Sequence, residues 1–276
     1  MTALLGVAHG SKDPASQQVV TGLLARVAAL RPGLRVSAAY VDNASPSIRN
    51  AFADLAARGA KDVVVLPLLL TAASHSKTDI AGSVQAGRAA HPGLRLRYGR
   101  PLGPHPVLVG ELAARLAEAG ARPEDPIVLV AGGALDPDAN ATVAATARLL
   151  FEGRPWPSVD VAFASTARPS VSEALERLRA QGFSRASVAR YFLGPGFLPA
   201  LVERKARSVD GMEVVVSAPL GVSDALAGLV TERFDEAVHG DLRINCDGCL
   251  YRIALPGYES AVGAPQQPHA HPDDED

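Results

Sequence analysis

Short apolar runs alternate with longer amphipathic stretches along nearly the whole chain. Ala3–Ala8, Leu34–Val41, Asp62–Leu70 and Leu94–Tyr98 have the length and aliphatic character of strands. Asp62–Leu70 is an almost unbroken apolar run, as expected of a central parallel strand buried on both faces. Between these runs the spacing predicts helices. Asp13-Pro14 opens one, with Asp13 at the N-cap and Pro14 at the first helical position. Ser45-Pro46 opens a second that ends near Arg58-Gly59. A third spans Ser76–Ala90 and a fourth Pro106–Ala119. The alternation then repeats. Strands are expected at Ile127–Ala131, Val159–Phe163, Ala186–Phe192 and Glu213–Ser217, and helices at Asp138–Phe151, Pro169–Gln181, Pro199–Arg207 and Asp224–Val238. Strict strand–helix alternation implies right-handed βαβ units and parallel sheets.

The second half is a copy of the first. VAHGSKDP at Val7–Pro14 recurs as VAGGALDP at Val130–Pro137. The same spacing pairs Pro46-Ser47 with Pro169-Ser170 and Gly59 with Gly182, and it shortens before the last strand, where Leu102-Gly103 matches Leu220-Gly221. The chain therefore divides by sequence into repeats at 1–122 and 123–240, each a four-stranded parallel α/β domain, with a tail at 241–276. The copies share turn and helix-entry residues, but His9 becomes Gly132 and His75 becomes Leu198. Residues kept in both belong to the fold, so Asp13 and Pro14 are assigned to structure. Imidazoles kept in one copy are candidates for chemistry.

Both histidines follow strand ends, and in open parallel sheets ligands bind outside the carboxyl ends of strands. Adjacent strands would bring the two rings together at one edge. Neutral imidazole ligates divalent iron, cobalt, nickel and zinc, and it accepts protons near neutral pH. The competing reading is a pair of loop histidines that only hydrogen-bond backbone. Asp42, replaced by Ser165 in the copy, ends the second strand; it would add a carboxylate to a metal site or serve as a turn aspartate. His105, at the start of the fourth helix, is either a helix-entry residue or a group at the cleft rim. Ser11, Lys12, Ser74, Ser76 and Lys77 flank the histidines and could bind anionic substrate groups; solvated loop positions are the alternative. Cys246 and Cys249 form a CxxC that can clip one metal, but a structural zinc or an iron–sulfur cluster needs about four ligands. A second chain or a histidine would have to complete such a site. The other readings are a redox pair and a tight turn. His269 and His271 sit in an acidic tail that either gathers metal weakly or only solubilises the chain.

Composition narrows the classes. The net charge of −2 and the absence of a basic stripe argue against nucleic acid. Two cysteines exclude a disulfide scaffold and fit a reducing cytoplasm. No apolar run is long enough to span a bilayer, and the first residues read as a strand, not a signal peptide. No GxGxxG follows the first strand, which speaks against a dinucleotide enzyme.

The HGS opening at His9-Gly10-Ser11, the LPLLLTAASHSKTDI segment at Leu66–Ile80 and PLGPHP at Pro101–Pro106 resemble the class II tetrapyrrole chelatases, specifically long, two-domain sirohydrochlorin chelatases. CDGCLYR and PGYESAVGAPQ resemble the ends of such long forms, and Asp42 falls where many members carry glutamate. The resemblance implies two tandem chelatase-like domains plus a C-terminal tail, and insertion of a divalent metal into sirohydrochlorin with release of two protons. Iron, toward siroheme, is favoured, and cobalt, toward cobalamin, is the alternative. It implies His9 and His75 as the core pair, assisted by Asp42, with a silent second domain in a monomeric internal pseudo-dimer or a weak homodimer. A non-catalytic metal-binding chaperone is the reading of another class.

Overall fold

In the computed structural model of the chain, residues 2–152, 154–240, 251, 254, 257 and 259–264 are described. The elements run β1 (Thr2–Ala8), α1 (Pro14–Leu30), β2 (Arg35–Tyr40), α2 (Ile48–Ala57), β3 (Asp62–Pro67), a π-helical turn (His75–Asp79), α3 (Ile80–Ala90), β4 (Arg95–Tyr98) and α4 (Pro106–Glu118). The second series is β5 (Ile127–Ala131), α5 (Pro137–Glu152), β6 (Val159–Phe163), α6 (Val171–Ala180), β7 (Arg185–Arg190), α7 (Phe197–Arg207), β8 (Glu213–Val216) and α8 (Asp224–His239). Two parallel sheets result, ordered β2-β1-β3-β4 and β6-β5-β7-β8. The expected pair of four-stranded α/β sheets is therefore present.

Two compact units form, one from Met1–Leu102 with Val222–Asp276 and the other from Gly103–Gly221. They do not coincide with the sequence repeats, because the last helix of each repeat packs on the other repeat's sheet. In the first unit α8 lies against α1, β3 and β4. Side chains of β1 alternate between faces. Leu5 and Val7 join Phe52, Leu55, Val65, Ile80 and Val84 under α2 and α3. Gly6 faces α1, where a Cβ would come within 2.8 Å of Leu24. Buried Arg233 of α8 donates to the carbonyls of Pro101 (3.3 Å) and Leu102 (3.1 Å) and to Glu236 (2.8 Å). Arg100 grips Glu236 with two nitrogens, at 2.8 and 2.6 Å, and holds its carboxyl below the usual range, with Arg233 assisting. Arg97 links Asp62 (2.9 Å) to the Val238 carbonyl (2.8 Å) at the helix end.

In the second unit α4 lies against α5 and β7, and α6 packs on α7. Val128, Val130, Leu175, Leu178, Val188 and Val202 form the core.

Several element ends differ from the sequence reading for local reasons. The second helix starts at Ile48 because the Ser47 hydroxyl caps it, accepting the Asn50 N–H at 3.3 Å. Its copy starts at Val171, where Ser170 and Glu173 form a reciprocal capping box. The third strand stops at Pro67, which has no N–H to continue the ladder, and Leu68–Leu70 lead into the loop. Most consequentially, the expected third helix opens with a π turn at His75–Asp79, where its copy α7 is α-helical from Phe197.

Candidate functional site

In the order β2-β1-β3-β4, the connections leaving β1 run one way and those leaving β3 the other, so the topological switch lies between them. Loops diverge there and leave a crevice at the strand ends. His9 follows β1 and His75 follows β3, so both fall at this crevice. Their rings meet edge to face, with centroids 4.3 Å apart and planes at 77°. His9 is exposed and His75 partly so.

The loop that carries His9 is locked by the neighbouring one. The Asp42 N–H donates to the His9 carbonyl at 2.9 Å. Gly10 then turns with φ 98°, and a Cβ there would lie 1.6 Å from the Asp42 carbonyl oxygen. A Gly10→Ala chain must move one of the two loops. We expect it to lose at least about 2 kcal/mol of stability in urea unfolding and to separate the histidines. The framework recurs in the second unit, where Gly133 has φ 88° and its Cβ would meet the Ser165 carbonyl at 2.0 Å.

His75 sits at the first position of the π turn and Asp79 at the fifth. The turn brings the Asp79 carboxylate onto His75 Nδ1 at 2.6 Å, and Thr78 Oγ1 donates to the other carboxylate oxygen at 3.0 Å. Asp79 is buried, with 2% of its surface exposed. Tyr98, from β4, donates its hydroxyl to the Ser76 carbonyl and so ties the turn to the sheet. Burial, and secondarily the Asp79 charge, push the Tyr98 phenol up, which keeps it protonated as a donor.

The other expected site residues separate by environment. Asp42 Oδ1 accepts the Asn43 N–H at 2.6 Å, the contact of a turn aspartate. Among the described residues no group of three or more His, Cys, Asp or Glu side chains is arranged to hold a metal ion. Ser76 is buried and its hydroxyl donates to the Ala73 carbonyl at 2.9 Å, within the turn. Ser11 Oγ accepts the Asp13 N–H at 3.1 Å. Lys12 and Ser74 are exposed, and Lys77 is half-buried. His105 caps α4, its Nδ1 accepting the Val107 N–H at 3.2 Å. Cys246, Cys249, His269 and His271 lie outside the described residues. Asp79 and Tyr98 were not singled out from sequence, although the repeat comparison that exposed the histidines covers them too: their counterparts are Val202 and Val216.

The second unit keeps the geometry of the edge without its chemistry. Leu198 Cδ1 lies 3.5 Å from the position a Cβ on Gly132 would take, so the counterparts of the two histidines are neighbours there as well. The counterparts of Lys12 and Ser74 are Leu135 and Phe197, exposed apolar side chains.

A duplicated parallel α/β fold, with an imidazole pair at the switch point of one copy only, is the architecture of a tandem chelatase-type protein. The chain belongs to the CbiX family, whose profile matches residues 3–119 and again 126–237. It is 28% identical over 266 residues to a sirohydrochlorin cobaltochelatase of Priestia megaterium, covering 92% of this chain and 86% of that one. It is 27% identical over 256 residues to a sirohydrochlorin ferrochelatase of Bacillus subtilis (strain 168), covering 91% and 98%. Among solved structures it is similar to SirB from Bacillus subtilis with Fe3+, with a TM-score of 0.77 and 26% identity over 87% of this chain and 97% of that one. No helix among the described residues is long and apolar enough to cross a membrane.

Proposed function

We propose that the protein is a sirohydrochlorin chelatase, a lyase-class enzyme that inserts a divalent metal, Fe2+ or Co2+, into the macrocycle and releases two protons. The observation that carries this reading is the His9–His75 pair, with rings 4.3 Å apart at the switch point of one sheet. Relatives of near-equal identity act with iron and with cobalt, which supports both metals as substrates.

The chemistry asks for two things at one place. A partly dehydrated cation must be handed to four pyrrole nitrogens, and two N–H protons must leave. An imidazole with a free ring nitrogen serves either purpose, and two side by side allow one to hold metal while the other accepts a proton. His9, exposed at the crevice, is assigned to first contact with metal and macrocycle. His75, its ring nitrogen Nδ1 held by Asp79, is assigned to metal delivery and proton acceptance. The macrocycle's carboxylates require cationic and hydroxyl donors, for which exposed Lys12 and Ser74 and half-buried Lys77 are suited by position. Gly132 and Leu198 offer neither ligand nor base, so the second unit is assigned no step of insertion.

The test is anaerobic absorbance of sirohydrochlorin with the full chain and Fe2+, then Co2+. Metal-dependent conversion above the uncatalysed rate is the expected result. Stoichiometric metal binding without conversion would overturn the enzyme reading in favour of a metal-carrying protein.

A further inference from the structure

Asp79 is a carboxylate where the fold asks for none. Its exposure is 2%, and burying an ion without recompense is expensive. A helix-capping role would justify it, but its side chain makes no capping hydrogen bond to α3. The duplicated half shows what the fold needs at this position. The counterpart is Val202, fully buried in the second core, and the helix around it is regular from Phe197 onward. The neighbouring positions change together: His75 with Leu198, Ser76 with Pro199 and Tyr98 with Val216. Strand register supports the last pairing, since Tyr98 lies beside Val65 and Val216 beside Val188, its copy. The buried carboxylate, the tyrosine clamp and the π turn are thus present where the imidazole is present and missing where it is missing.

We infer that Asp79 is the positioning residue for His75, accepting the Nδ1–H so that Nε2 carries the lone pair offered to metal and to pyrrole protons. Asp79 stands four residues after His75, the spacing that puts two side chains on one helical face, and Tyr98 holds the turn through the Ser76 carbonyl. A carboxylate on the far nitrogen fixes both the tautomer and the ring plane. The inference rests on the chelatase reading for its consequence in turnover, but not for the tautomer itself.

The experiment measures ring-nitrogen resonances of 15N-histidine-labelled full chain at about pH 9, where imidazole is neutral, with His75 assigned through His75→Gln. The unsubstituted protein is expected to show His75 protonated on Nδ1 and bare on Nε2. Asp79→Asn is expected to shift the proton to Nε2, because the amide can donate to Nδ1. It should weaken Co2+ binding by about 10–100-fold and lower kcat by at least tenfold, with KM for sirohydrochlorin within twofold. A role in folding alone would lower the melting temperature and leave the tautomer and Co2+ affinity unmoved. Should Asp79→Asn fail to fold, the unsubstituted protein still decides the matter, since His75 found protonated on Nε2 overturns the inference. The tautomer as stated, with no tetrapyrrole conversion by the unsubstituted protein, would sink the chelatase reading and leave the positioning role standing.

Discussion

Replacing His9 and His75 together by alanine is expected to bring sirohydrochlorin metallation down to the uncatalysed rate while leaving the fold intact. The two parts of this expectation have separate grounds. His9 is exposed, and only part of the His75 ring is buried, so truncation opens no cavity of core size. The second unit also keeps the same loops with glycine and leucine at these positions, which shows that the framework closes without imidazole. Loss of turnover follows from chemistry. Proton transfer by a positioned base contributes typically about 10²–10⁴-fold, and metal delivery is removed by the same substitution. Because the rings touch, their effects are coupled, and the double variant should be little worse than the more damaging single one. Metallation rates and circular dichroism melts of the three variants check this. Full turnover by the double variant with an unchanged melt would move the active site elsewhere.

How much of this was legible beforehand differs by level. Strand and helix alternation was strong because short runs rich in β-branched residues, such as Val63–Leu66 between Asp62 and Pro67, favour central strands. The histidine pair was legible because the chain carries a second copy in which those positions are apolar. The same comparison placed valine opposite Asp79, yet an aspartate in the first turn of an expected helix looks like an ordinary helix-start residue. Its i, i+4 spacing from His75 could pair the two on one helix face, but the expected helix began at Ser76 and left His75 outside it. Asp42, Ser76 and His105 were each balanced between a local and a functional role. Each makes a hydrogen bond to a backbone group close in sequence, as short polar side chains and helix-entry residues do.

The exchange of final helices was invisible for a further reason. α4 buries Leu108, Leu112 and Leu116, and α8 buries Leu226, Val230 and Phe234, at matching spacing. Each also carries an arginine–glutamate pair three residues apart, Arg115 with Glu118 and Arg233 with Glu236. Either helix therefore satisfies the pattern for covering either sheet. The choice is made by long-range partners, chiefly Arg97 and Arg100 meeting the end of α8.

This exchange has a large consequence for dissection. A fragment cut at the repeat boundary, residues 1–122, is expected not to fold. It retains α4 without α5 and β7, against which it packs, and it loses α8. Removing α8 takes away the buried side chains of Leu226, Leu229, Val230 and Phe234, each contributing about 1.5–3 kcal/mol, and leaves the Asp62–Arg97 pair and Arg100 without their helix contacts. The loss is comparable to the whole stability of an ordinary domain, about 5–15 kcal/mol. Deleting residues 103–221 and joining Leu102 to Val222 through a short flexible linker keeps α8, its arginine contacts and both histidines. That chain is expected to melt cooperatively and to give dispersed amide resonances, whereas 1–122 should give the spectrum of an unfolded or aggregated chain. A well-folded 1–122 fragment, or an unfolded deletion chain, would show that the packing of α8 on the first sheet does not govern its stability.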